Sequence, residues 1–270
     1  MKIAWASDTH FDFAKPSDLA FFFNEVKASG ADMLVLCGDL SGGSTLESWL
    51  RRLELELDLP IHFVLGNHDA YKRSIVSARK AALDLSGRGT LVFDRKPKLS
   101  WLSDGTIEIL SDDAVLIGHD GWYDARAGLV GRIVMNDFNY VHELRTPSRT
   151  GGLHDEIRKI ADEAAKYFDF VLPQALDRRR KVILATHVPP FPQAAWHDGH
   201  QSDREYLPYF CSVCAGNVLV KHMEANPDKE LLVLCGHTHG EGEAQILPNL
   251  KVLTAGAIYG QPKLQGVIEV

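Results

Sequence analysis

Five short apolar runs along the chain end abruptly in a cluster of Asp, Asn or His. KIAWAS runs into DTH at His10, MLVLCG into Asp39, IHFVLG into NHD at Asp69, KVILAT into His187, and LLVLCG into HTH at His239. Near-continuous hydrophobic runs of this kind suit strands buried on both faces of a helix-covered sheet. Between the first three, apolar residues recur at helical spacing over Ser17–Ser29, Thr45–Leu57 and Tyr71–Leu83. The N-terminal third therefore reads β-α-β-α-β, with each helix as a crossover between parallel strands.

Residues 91–118 read as short strands, LVFD, TIEIL and AVLIG, separated by the turn pairs Asp104-Gly105 and Asp112-Asp113. A long helix is predicted from about His154 to Asp177, after Gly151-Gly152. Another covers about Glu205–Glu224, and Pro208 requires its start to fall near or after that residue. AQILP, KVLTAG and QGVIEV predict an antiparallel meander at the end. The pattern is that of an α/β protein with two packed sheets flanked by helices, in a single domain over residues 1–270. The stretch 121–152 fits no regular element and is a candidate substrate-covering loop insertion.

Composition narrows the function. With 45% hydrophobic residues the 270-residue chain can bury a large core without disulfide staples. A formal net charge of −7 disfavours duplex nucleic acid as a partner, which needs a positive surface. A small phosphorylated substrate remains open, because bound cations reverse the local field. No apolar run is long enough to span a membrane, and MKIAWASDT is no leader sequence, so a cytoplasmic setting is expected. Oligomeric state is not encoded in the pattern.

The strand ends offer Asp8, His10, Asp39, Asn67, His187, His237 and His239. Ligands in α/β folds gather beyond the carboxyl ends of strands. Carboxylate, imidazole and amide oxygen together suit borderline divalent metals such as Mn, Fe, Zn or Ni. The i, i+2 spacing in DTH and HTH would send both side chains to one side if the segment stays extended. Seven groups are too many for one tetrahedral ion but fit two ions sharing a carboxylate.

The ordered series D-x-H, GD, GNHD, H and GHTH, here Asp8–His10, Gly38–Asp39, Gly66–Asp69, His187 and Gly236–His239, resembles the calcineurin-like metallophosphoesterase superfamily. That resemblance implies a four-layer αββα fold and two divalent ions. Asp8, His10 and His239 would hold the first, and Asn67, His187 and His237 the second, with Asp39 between them. It also implies in-line attack of a metal-bound hydroxide on a phosphate mono- or diester of a small or nucleotide-like substrate. His68 would stabilise the transition state or protonate the leaving group, and Asp69 could orient its imidazole. The alternatives are a phosphoprotein phosphatase and a non-catalytic, metal-stabilised scaffold.

Other residues carry weaker signals. His119 is a candidate for the pocket lining, and Arg126, Arg132, Arg145 and Arg149 for a second phosphate or a carboxylate, against an ordinary solvated loop. Phe191 and Trp196, beyond the prolines that follow His187, could wall the cleft. Cys211 and Cys214 share a helix face and read as packing, as do Cys37 and Cys235 in their strands. His142, His154, His197 and His200 read as surface residues, His222 as solvated on a helix, and His62 as packed or at a strand edge.

Overall fold

The apolar runs become strands because each alternates between two buried faces. In a computed structural model, which describes residues 1–86 and 98–270, β1 (Lys2–Ala6), β2 (Met33–Cys37) and β3 (Ile61–Val64) lie side by side and parallel. Helices α1 (Pro16–Ala28) and α2 (Leu46–Glu56) cross between them, and α3 (Ile75–Leu85) leads on to β4 (Leu99–Trp101), parallel to β3. The predicted strand LVFD lies outside the described residues. β5 (Glu108–Ile109) and β6 (Ala114–His119) open the second sheet, followed by α4 (Asp137–Tyr140), α5 (His142–Thr150) and α6 (Leu153–Arg178). β7 (Lys181–Thr186), the small hairpin β8 (Trp196–His197) and β9 (His200–Gln201), α7 (Leu207–Phe210), α8 (Val213–Ala225) and β10 (Glu230–Cys235) come next. The chain ends in β11 (Gly242–Leu247), β12 (Leu250–Thr254) and β13 (Gly266–Glu269).

Two main sheets result, ordered β13-β1-β2-β3-β4 and β11-β12-β10-β7-β6-β5. Three apolar layers hold them. Ile3, Trp5, Met33, Val35 and Cys37 meet Leu116, Ile183, Ala185 and Leu234 between the sheets. The opposite faces, Leu34 and Leu36 on one sheet and Val182, Leu184 and Val233 on the other, pack under α1–α3 and under α6 and α8. On α1 the buried residues are Leu19, Phe22, Phe23 and Val26, the stripe that a 3.6-residue period presents to a core. The predicted αββα layering is the observed one.

Four expectations are corrected. The stretch 121–152, read as fitting no regular element, carries α4 and α5 between Asp137 and Thr150. The third helix starts at Ile75 rather than Tyr71, because His68–Ala70 forms a 3-10 turn and Ser74 caps the helix, its hydroxyl accepting from Ser77 N–H at 3.0 Å. The helix over 205–224 is two helices with an extended break at Cys211–Ser212. Tertiary bonds there override helical propensity: Asp124 N–H donates to the Cys211 carbonyl, and Ser212 N–H to that of Pro189. The terminal meander also fails. β11 and β12 pair antiparallel, but β13 crosses to the other sheet and pairs antiparallel with β1.

Asp120, at the end of β6, ties the sheets at the end where the polar clusters sit. Its Oδ1 accepts from Leu65 N–H (2.8 Å), Trp101 Nε1 (2.9 Å) and Ser103 Oγ (2.8 Å), and its Oδ2 from Arg79 Nε (2.9 Å). Burial pushes the carboxyl up, but Arg79 and further hydrogen bonds hold it below the usual carboxylate range. Replacing Asp120 by Ala leaves three donors unpaired and Glu163 as the remaining carboxylate partner of Arg79. Urea unfolding should show a loss of about 3 kcal/mol or more, at about 1–3 kcal/mol for each donor left unsatisfied.

Candidate metal centre

The strand ends meet where the backbone turns left-handed. Asp8, His10, Asp39, His237 and His239 all have positive φ, and only three other non-glycine residues do among those described. Strain of this kind persists only where the surroundings enforce it. Here the loops lock one another: Asp8 N–H donates to the Gly38 carbonyl, His10 N–H to Asp39, and Gly236 N–H to His187. The extended geometry expected for DTH and HTH is therefore not the one found. Left-handed turns, not a strand, aim these side chains. Close approach also excludes side chains from two neighbours: a Cβ on Gly66 would fall on the Asp39 carboxylate, and one on Gly236 on that of Asp8.

Asp8, His10 and His239 offer ligand atoms within 4.8 Å of one another, and so do Asp8, Asp39 and His187. His10 Nε2 stands 3.2 Å from His239 Nε2. Across the site, Asn67 Oδ1 lies 3.0 Å from His187 Nε2 and 3.0 Å from His237 Nδ1. Asp39 sits between the groups, Oδ2 at 3.8 Å from His10 Nε2 and Oδ1 at 3.4 Å from His187 Nε2. Its Oδ1 also accepts the His68 backbone N–H at 2.8 Å.

Hydrogen bonds on the outer side of each ring fix what the inner side presents. His187 Nδ1 faces the Cys37 carbonyl at 2.9 Å, and His237 Nε2 faces that of Tyr209 at 2.8 Å. A carbonyl only accepts, so these nitrogens carry protons, and on a neutral ring the other nitrogen turns a lone pair inward. The Asn67 amide is oriented likewise, its Nδ2 donating to Asp137 Oδ1 at 2.9 Å, so that its oxygen faces the two rings. Once His187 gives up its second proton, three acceptors converge with no hydrogen between them, an arrangement that fits a cation.

The electrostatics agree. Burial raises the Asp8 carboxyl, but hydrogen bonding by His239 and the neighbouring histidines outweigh it and bring it down to about 2. Burial lowers His187, yet the Asp39 charge pushes it up to about 10, the attraction for positive charge that a metal would also meet. His237 is pulled down to about 4, by burial first and His187 second.

A family profile described as calcineurin-like phosphoesterase matches residues 1–241. The chain belongs to that family. It is a metal-dependent phosphoester hydrolase, and the donor set above is one that can hold its metal. Solved structures share the fold at low identity. The phosphopantetheinyl hydrolase of Mycobacterium tuberculosis has a TM-score of 0.59 and 12% identity, over 97% of this chain and 95% of that one. A dimetal phosphatase from Danio rerio has 0.54 and 15%, over 96% and 88%. A protein from Thermus thermophilus has 0.52 and 16%, over 94% and 88%. No curated protein matches.

The structure brings Asp8, His10, Asp39, Asn67, His187, His237 and His239 of this phosphoesterase to one site, with His68 at its mouth. Asp69 is elsewhere in its task. Fully buried, its carboxylate accepts from the backbone of Leu40, Ser41 and Gly66 rather than from the His68 ring, so it clamps the loops. His119 is packed on Tyr167 (centroids 4.6 Å apart) and does not line the cavity. Arg126 is engaged by Asp162 and Asp124, and Arg132, Arg145 and Arg149 are exposed away from the cavity lining. Phe191 is buried in the core; Tyr206 and Phe210 line the cavity instead, together with His197, which had read as a surface residue.

Sequence reasoning missed Tyr259 and Asp137. The Tyr259 ring lies 4.3 Å from His10 and 4.9 Å from His239, and its hydroxyl 3.4 Å from His68 Nε2. Asp137, fully buried, accepts from Asn67, from Tyr71 Oη (2.6 Å) and from Tyr123 Oη (2.7 Å). Only an acidic residue within an otherwise arginine-bearing stretch signalled it. Asp137→Ala should weaken metal retention about 10–100-fold in chelator competition, the usual effect of losing a ligand's supporting partner. Unchanged affinity would show that Asn67 is held by other means.

Proposed function

We propose that the chain hydrolyses a phosphate mono- or diester of a small or nucleotide-like substrate, using two divalent cations. Asp8, His10 and His239 would hold one ion and Asn67, His187 and His237 the other, with Asp39 shared. The observation that carries this reading is the convergence of the Asn67 amide oxygen with the inward nitrogens of His187 and His237, with Asp39 standing between them and the His10 group. A related fold described as a dimetal phosphatase supports the count of two. When bound, such ions neutralise phosphoryl oxygens and make hydroxide available near neutral pH.

The chain's own groups do the rest. The Asp39 carboxylate is held by the His68 backbone N–H, so the ring that follows is fixed relative to the centre. That ring stacks on Tyr71 with centroids 4.2 Å apart, and its Nε2 stands 3.9 Å from Asp39 Oδ2. Half-buried at the mouth, His68 is positioned to give a proton to the departing ester oxygen. The cavity over the centre has a volume of about 420 Å³. Ile133, Val134 and Met135 line it, which supports a covering role for part of the 121–152 segment. A cavity of this size is in the range that small ligands occupy, which favours a small substrate over a phosphoprotein.

Elemental analysis after Mn loading should find close to two ions per chain. His68→Ala should keep the metal and lose about 10²–10⁴-fold in turnover of aryl phosphomonoester or bis-aryl phosphodiester probes. Asp39→Ala should lose the metal itself. Equal metal loss in both variants would make His68 a ligand and overturn its assignment as proton donor.

A further inference from the structure

The cavity over the metal centre does not end at His68. A second cavity, of about 470 Å³, shares His68, Tyr71, Asn136 and Tyr259 with it. Phe13, His68, Tyr71, Tyr140 and Tyr259 supply rings to its lining, and Asp12, Ser44, Lys72 and Asn136 supply polar groups. Phe13 packs edge-on against Tyr259 with centroids 5.2 Å apart, and Tyr71 lies tilted against Tyr140 at 5.4 Å. The two pairs meet at His68, which stacks on Tyr71 and faces the Tyr259 hydroxyl. Gly42 and Gly43 line the same space with bare backbone. Phe13 is 58% exposed, Tyr140 43% and Tyr259 47%, so none of the three has its ring covered by the protein.

We propose that this second cavity is the subsite for the leaving group, and that the leaving group carries a planar aromatic ring. The inference rests on the hydrolytic reading above and specifies its substrate. An ester oxygen that receives a proton from His68 must have its substituent on the His68 side of the centre, and the aromatic cavity is what lies there. Aromatic rings prefer offset or edge-on contact with other rings, a gain beyond the burial of apolar area. Three exposed rings around one cavity offer that gain to a flat ligand and much less to a puckered one. The walls are also tied in place: Lys72 N–H donates to the Tyr140 carbonyl at 2.8 Å, and His142 N–H to that of Arg73 at 3.1 Å. Little ordering is left for the ligand to induce.

The test compares benzyl phosphate with cyclohexylmethyl phosphate, and the two methyl phosphodiesters with the same groups. These leave as alcohols of similar acidity and bulk, differing in the ring. With the Mn-loaded full chain, kcat/KM should favour the benzyl ester by about tenfold, the size of one or two aromatic contacts. In the double variant Phe13→Leu, Tyr140→Leu, which keeps apolar bulk and removes two rings, that ratio should fall toward one. A ratio does not depend on the fraction of active protein, so partial misfolding cannot mimic the result. A wild-type ratio near one, or a ratio unchanged in the double variant, overturns the proposal. Should neither ester turn over, calorimetric titration with benzylphosphonate and cyclohexylmethylphosphonate separates the two ideas. Tighter binding of the benzyl compound upholds the subsite while hydrolysis falls; equal or absent binding overturns the subsite as well.

Discussion

Two buried carboxylates, Asp8 and Asp39, stand where the strand ends of both sheets converge, and buried negative charge must be met by positive charge. Most of the unusual local structure follows from that demand. Histidines from the far sheet approach the carboxylates, and glycines precede the ligands where a Cβ would collide with them. The backbone accepts left-handed turns at five of the seven candidate ligands. None of this favours stability by itself. The apolar layer between the sheets and the cross-loop hydrogen bonds hold the strained turns in place, and the centre is pre-organised as a result.

The parts of the fold visible in the sequence were those where one physical signal dominates. Buried parallel strands announce themselves as unbroken apolar runs, and the crossover helices by their 3.6-residue stripes, as on α1. The polar ends of those runs carry the seven side chains that the fold brings together. What stayed hidden was decided by distant partners. The break between α7 and α8 depends on the Cys211 carbonyl accepting from Asp124 and on Ser212 reaching Pro189, and β13 leaves its neighbours because β1 offers an open edge. Local pattern holds no trace of either.

The site divides in the same way. In the GHD sequence at the end of β6, His119 attracts attention by its chemistry, yet the neighbouring Asp120 binds the structure together through four donors. Of the 121–152 stretch, the arginines drew notice because a guanidinium suggests anion binding. They face solvent or carboxylates of the protein, and the contribution of the segment to the centre comes through Asp137. Tyr259 sits in a loop with no motif around it, and only the packing of its ring against His10 and His239 marks it.

The link from Asp137 to Asn67 makes one segment answerable for two properties. The same short stretch lines the cavity through Ile133–Asn136 and fixes the amide that faces His187 and His237. In many enzymes a lid can diverge while the chemistry beneath it stays constant. Here a graft that exchanged residues 133–137 for another sequence would also release the Asn67 amide, so the lining of the cavity and the orientation of a candidate ligand are inherited as a unit.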